Sequence, residues 1–121
     1  MKTIKVSGAT GVVLDWMVAK CEGVNAEAFR LYYDPTGTSD LDSHGYPEFH
    51  YSTTWAQGGP LFSEARISAS VDDSGVWLAW CQYNYADEKR FMQSGHTELV
   101  AKARCYVAMS LGLAVEVPED L

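Results

Sequence analysis

Apolar residues recur along this chain with two periods. In the run SGATGVVLDWMVAKCEG, Leu14, Met17, Val18 and Cys21 fall at i, i+3, i+4 and i+7, which puts one apolar stripe on a helix. Thr10 or Ser7 can cap its start, because a hydroxyl there accepts an orphan backbone N–H. Gly23 can take the left-handed conformation that ends it. Trp16 lies beside the stripe and reads as a flank of the core. A second helix is predicted from Thr97 to Leu111, with Leu99, Val100, Ala103, Tyr106, Val107 and Leu111 as its buried stripe. Ser94 or Thr97 begins it and Gly112 stops it.

Alternation with period two marks the strands. Residues 67–71 and 76–83, joined by Asp72-Asp73-Ser74-Gly75, predict a hairpin. On its second strand Trp77, Ala79, Cys81 and Tyr83 face one way, and Val76, Leu78, Trp80 and Gln82 the other. Both faces carry large apolar groups, so one is expected to meet the helices and the other a ligand, a loop or a second subunit. Residues 28–33 also read as a strand, Thr3 to Val6 as a short strand or arm, and Val115-Glu116-Val117-Pro118 as an extended tail. Residues 34–47, DPTGTSDLDSHGYP, have loop chemistry. The next stretch, YSTTWAQGGPLFS over residues 51–63, is expected to continue that irregular path. The expected fold is therefore α+β: a small antiparallel sheet packed by an N-terminal and a C-terminal helix, with a long central loop over one end. At 121 residues, positions 1–121 are expected to form a single domain.

Composition narrows the function. Hydrophobic residues make up 47% and charged residues 21%, as in a globular protein. Nothing approaches the roughly 20 apolar residues of a membrane helix. Asp15 interrupts what would have to be the apolar region of a signal peptide, so retention in the cytoplasm is expected. Cys21, Cys81 and Cys105 form no C-x-x-C pair and read as reduced, buried thiols. The formal net charge is −7 with no basic stripe, which argues against binding nucleic acid through its phosphates.

The candidate site is the 51–63 stretch. Gly58 and Gly59 can adopt positive φ and expose backbone N–H groups, while Pro60 fixes the exit. Paired amides suit an anion or a carbonyl. Tyr51 and Trp55 offer flat faces for stacking, Ser52, Thr53, Thr54 and Gln57 offer neutral hydrogen-bonding groups, and Arg66 is the chosen cation, with Arg30 and Arg90 as others. Together Tyr51, Ser52, Thr53, Trp55, Gln57, Gly58, Gly59, Pro60 and Arg66 suit a nucleotide-like small molecule. The plainer alternative is a tight turn with Trp55 plugging the core beneath it. The glycines match neither a P-loop nor a G-x-G-x-x-G fingerprint.

Other constellations carry less. Asp40, Asp42, His44 and His50 match no recognised metal spacing, and no metal or cofactor is expected. No catalytic residue is assigned: G-x-S-x-G is missing, and Glu48 and Glu64 flank the stretch at a separation the sequence does not give.

Three stretches carry a family resemblance: Leu14-Asp15-Trp16 with Val18-Ala19-Lys20, then Tyr51 through Leu61, then Ala103-Arg104-Cys105-Tyr106-Val107-Ala108 followed by Val115-Glu116-Val117-Pro118. In these the chain resembles the NinX-type proteins of lambdoid bacteriophages, a family of unknown function. The resemblance implies a phage accessory protein made in the host cytoplasm, and it supplies no reaction. The function expected is non-enzymatic capture of a small nucleotide-derived ligand, for instance a host immune signal, with no membrane or nucleic-acid partner. Docking on a host protein is the alternative, and hydrolysis of a nucleotide-like substrate a further one. The two-faced hairpin adds the expectation of a homodimer.

Overall fold

The computed structural model describes residues 1–25, 27, 29, 49–81, 91–119 and 121. Strand β1, Lys2–Lys5, pairs antiparallel with β5, Ala114–Val117, in the register Lys2↔Val117 to Lys5↔Ala114. The predicted arm and tail are thus the two strands of one small sheet. A 3-10 turn over Val6–Gly8 extends the pairing, with the Val6 N–H donating to the Leu113 carbonyl at 2.9 Å.

Helix α1 spans Gly11–Cys21. Its burial is wider than the predicted stripe, since Asp15, Trp16 and Ala19 are buried with Leu14, Met17 and Val18. Trp16 is therefore core. Thr10 occupies the cap position without a side-chain hydrogen bond. Gly23, at φ 79°, takes the left-handed turn beyond the helix, where a side chain would meet its own backbone.

Helix α2, Trp55–Glu64, stands where irregular backbone was expected. It is followed by the hairpin of β2, Ile67–Val71, and β3, Trp77–Cys81, paired from Ile67↔Cys81 to Val71↔Trp77. Local chemistry sets the turn: the Asp72 carboxylate accepts hydrogen bonds from the Ser74 hydroxyl and N–H and from the Val76 N–H. The Ser74 hydroxyl, then the Val76 amide, hold that carboxyl below its ordinary range. Gly75 supplies the φ of 88° that the turn requires. Strand β4, Gln93–Gly95, adds to the other edge of β3.

Helix α3, Glu98–Leu111, packs against strands β2 to β5 and both other helices. Its start is Thr97, whose Oγ1 accepts from the Val100 N–H at 3.1 Å, and Gly112 follows its end. Ala79 and Cys81 are buried on the sheet face toward α3, whereas Leu78 lies on the opposite face and is exposed. The core gathers Leu14, Met17, Val18, Phe62 and Val107, all sealed from solvent; fully burying such a side chain contributes ~1.5–3 kcal/mol.

The α+β architecture is the one the sequence predicts, with its strands divided between two antiparallel sheets. The strand expected over residues 28–33 falls outside the described residues except for Phe29. There the N–H donates to the Asn25 carbonyl four residues back, as in a helix, and the side chain is buried. Residues 34–47, with Asp40, Asp42 and His44, lie outside the described residues, as do Arg30, Glu48, Gln82, Tyr83 and Arg90.

Candidate functional site

The path into α2 is set by a buried carboxylate. Asp15 Oδ1 accepts from the Ser52 N–H at 2.9 Å and from the Ser52 hydroxyl at 2.7 Å. His50 Nδ1 stands 3.9 Å from the other Asp15 oxygen. The Thr53 and Thr54 amides donate to the His50 carbonyl, closing a turn, and the His50 N–H donates to Gln57 Oε1 at 2.7 Å. Ser52 is spent on Asp15, so this is not the nucleophile–imidazole order of a catalytic triad.

The two glycines do something other than expose amides. The Gly58 N–H donates to the Thr54 carbonyl within the helix, and neither Gly58 nor Gly59 has positive φ. A Cβ on Gly58 would collide with the Tyr51 carbonyl oxygen and stand 2.9 Å from the Phe62 ring. A Cβ on Gly59 would stand 3.0 Å from Trp55 Cε3. One glycine therefore lets the preceding turn pack on the helix, and the other seats the Trp55 indole along it. Pro60 lies within α2 and cannot donate back to the Ala56 carbonyl; Ala56 is exposed, where water can take that role.

Trp55 is not a plug. It is 52% exposed, and its ring carries Lys102 Nζ at 5.5 Å from the centroid. Lys102 is held there by Glu98, one turn earlier on α3, at 3.0 Å. Beside the indole opens a cavity of about 440 Å³, lined by Ser52, Thr53, Trp55, Trp77 and the first turn of α3 with its approach, His96 to Val100. Gly95 allows this junction, because a Cβ there would press on the Ala101 amide nitrogen at 2.7 Å. In the first turn of a helix the leading N–H groups have no partner within the helix. The Val100 N–H is taken by the Thr97 cap and the Ala101 N–H by the Thr97 carbonyl, so the donors this wall offers to a carbonyl or ring acceptor are the Glu98 and Leu99 amides. Trp77 offers a second indole. Among the described lining residues there is no lysine or arginine, and Glu98 is the one carboxylate.

Of the residues named from sequence, Ser52, Thr53 and Trp55 meet at this cavity. Tyr51 does not: its ring stacks on Phe49, whose ring stacks on Phe29, and burial, with Glu22 and Asp15 nearby, pushes its phenol up to about 12. Gln57, Gly58 and Gly59 shape the segment from behind, and Pro60 sits on its outer side. Arg66 lies past the far end of α2, a helix roughly 15 Å long, at φ 61°. Sequence reasoning missed Trp77, His96, Thr97 and Glu98. Thr97 was legible as a cap, but nothing local in the chain reports that the cap faces Trp55. Among the described residues no group of three metal-ligating side chains assembles, and no helix is long and apolar enough to cross a membrane.

A family model described as Bacteriophage P22, NinX matches residues 5–110. The chain belongs to the NinX family. The match takes in the Asp15–Ser52 contact and every described lining residue of the cavity. No curated protein matches the chain. The stretches that carry the NinX resemblance now have a physical connection: the first supplies Asp15, the second supplies Ser52 and Trp55, and the third supplies Arg104. The Arg104 guanidinium donates to the Ala9 carbonyl from Nε at 2.9 Å and to the Ser94 carbonyl from Nη1 at 2.7 Å. That ties α3 to the approaches of α1 and to β4.

Proposed function

We propose that this NinX-family protein is a non-enzymatic binder of a small planar molecule, working in the host cytoplasm. The ligand is nucleotide-derived and is recognised through its base and sugar. The observation that carries the reading is a half-exposed indole, steadied by Gly59 beneath and Lys102 above, at the mouth of a cavity of about 440 Å³. That volume is within the usual range of small-molecule sites. A base stacked on Trp55 takes the place of the Lys102 ammonium over the ring. Such stacking gains ~1–3 kcal/mol, less the cation–π contact of ~0.5–1 kcal/mol that is given up. Thr53, His96, Thr97 and the Glu98 and Leu99 amides at the start of α3 supply neutral partners for its edge. The lining favours the unphosphorylated part of such a molecule, because no lysine or arginine is among its described residues, the nearby Lys102 ammonium is already paired with Glu98, and Arg66 stands a helix length away.

Calorimetry with nucleobases, nucleosides, nucleotides and cyclic dinucleotides tests this, read together with quenching of tryptophan fluorescence. Trp55→Ala should weaken binding by roughly tenfold to a hundredfold, the equivalent of the lost stacking. It should leave the melting temperature nearly unchanged, since an indole exposed to this degree contributes little to the core. If Trp55→Ala unfolds the protein, the indole is structural and the proposal fails. No heat from any of these compounds, with a host protein recovered on the immobilised chain, would favour docking instead. The hairpin tip gives that alternative a surface, with Val71, Val76 and Leu78 exposed.

A further inference from the structure

A second cavity, of about 380 Å³, is lined by Lys5, Ser7, Gln93, Leu113 and Ala114 and shares none of its described lining residues with the first. Gln93 is only 7% exposed, yet among the described residues its carboxamide makes no hydrogen bond. An amide offers two donors and an acceptor, and those of Gln93 are not sealed from solvent, so they are open to a solute in the cavity. Next to it lies a buried charge. Arg104 is 8% exposed and bonds only to carbonyls, those of Ser94, which follows Gln93, and of Ala9, two residues beyond Ser7. No carboxylate among the described residues pairs with that guanidinium, which stays charged at any ordinary pH. Lys5 adds an ammonium at the cavity itself, and no carboxylate is among the described lining residues. On a chain of net charge −7, this is a local excess of positive charge around a donor that no protein group among the described residues engages. Leu113 and Ala114 make the remaining wall apolar.

We propose that this cavity binds a compact organic anion, its carboxylate set against Lys5 and the Gln93 amide and its apolar body against Leu113. Ser7 supplies a third donor. The charge of Arg104 acts from behind as a fixed field, and its hydrogen bonds stay with the backbone.

Hexanoate and benzoate are the probes, titrated into isotope-labelled protein while the Gln93 side-chain amide and the Leu113 methyl resonances are followed. Both should shift saturably, and hexanol, the neutral counterpart of hexanoate, should bind at least about tenfold more weakly, the effect expected of a lost charge-assisted hydrogen bond. Lys5→Ala and Gln93→Leu should each weaken the carboxylates by about tenfold or more; Lys5 is exposed, so its variant keeps the fold whatever Gln93→Leu does. Trp55→Ala should bind the carboxylates like the parent, which separates this site from the first. Absence of saturable shifts, equal binding of hexanol, or an unaffected Lys5→Ala would each overturn the assignment. Inorganic phosphate binding as tightly as the carboxylates would overturn the role given to Leu113.

Discussion

Asp15 and Ser52 are both 1% exposed, and each answers the other's burial. The carboxylate receives two hydrogen bonds from one residue, and that residue's amide and hydroxyl have no water to turn to. Removing one partner of a buried charge-assisted bond leaves the other stranded, at ~1–3 kcal/mol or more. Ser52→Ala should therefore lower stability by roughly 1–3 kcal/mol, and Asp15→Ala by more, because it strands both Ser52 donors. Urea denaturation measures both. Equal stability of Asp15→Ala and the parent would show that the contact does not anchor the segment. Asp15 was visible in the sequence as the residue that breaks an apolar run and as part of a stretch that carries the family resemblance; its partner lies 37 positions away, and no local pattern announces such a pair.

Helix α2 shows where local rules are overridden. Two glycines and an interior proline argue against a helix, by about 1 kcal/mol for each glycine and ~3 kcal/mol for the proline. Packing reverses that preference: Phe62 is sealed in the core, and Gly58 lies under the Tyr51 carbonyl. Gly58→Ala, which raises helix propensity, should nonetheless destabilise by ~1–3 kcal/mol through overpacking. Pro60→Ala, on the exposed side, should stabilise by about 1 kcal/mol or more, since it restores a helical hydrogen bond with nothing to clash. Thermal melts of the two variants should move in opposite directions, and a stabilising Gly58→Ala would refute the close approach. The hairpin and α3 were legible because their signals are local: Asp72 to Gly75 carries the turn and Thr97 the cap. Half of the candidate cavity was legible for the same reason, through Trp55 and its neighbours. Trp77 and the start of α3 reach it by tertiary packing, which residue spacing does not encode.

Across the molecule, burial governs the response to alkali. It pushes the Cys21 thiol up to about 11 and the Cys105 thiol up to about 12, against an ordinary value of 9.0. It likewise raises the Tyr51 and Tyr106 phenols to about 12, against 10.0. The folded chain keeps these protons where the unfolded chain releases them. Stability from this source is thus fully present below pH 9, begins to fall there, and continues to fall toward the folded values. Urea midpoints should be level through neutral pH and drop above about 9; a midpoint that rises over that interval would contradict the assignment. Cys105 should also resist alkylation near pH ~8 until the protein unfolds. The β1–β5 ladder bears on force rather than on pH. Lys2 faces Val117 at the outer end of the ladder and Lys5 faces Ala114 at the inner, so tension drawing positions 2 and 117 apart loads one cross-strand bond at a time. Such a ladder unzips instead of shearing, and a machine hauling on either strand would meet little mechanical resistance until the load reached α1 and α3.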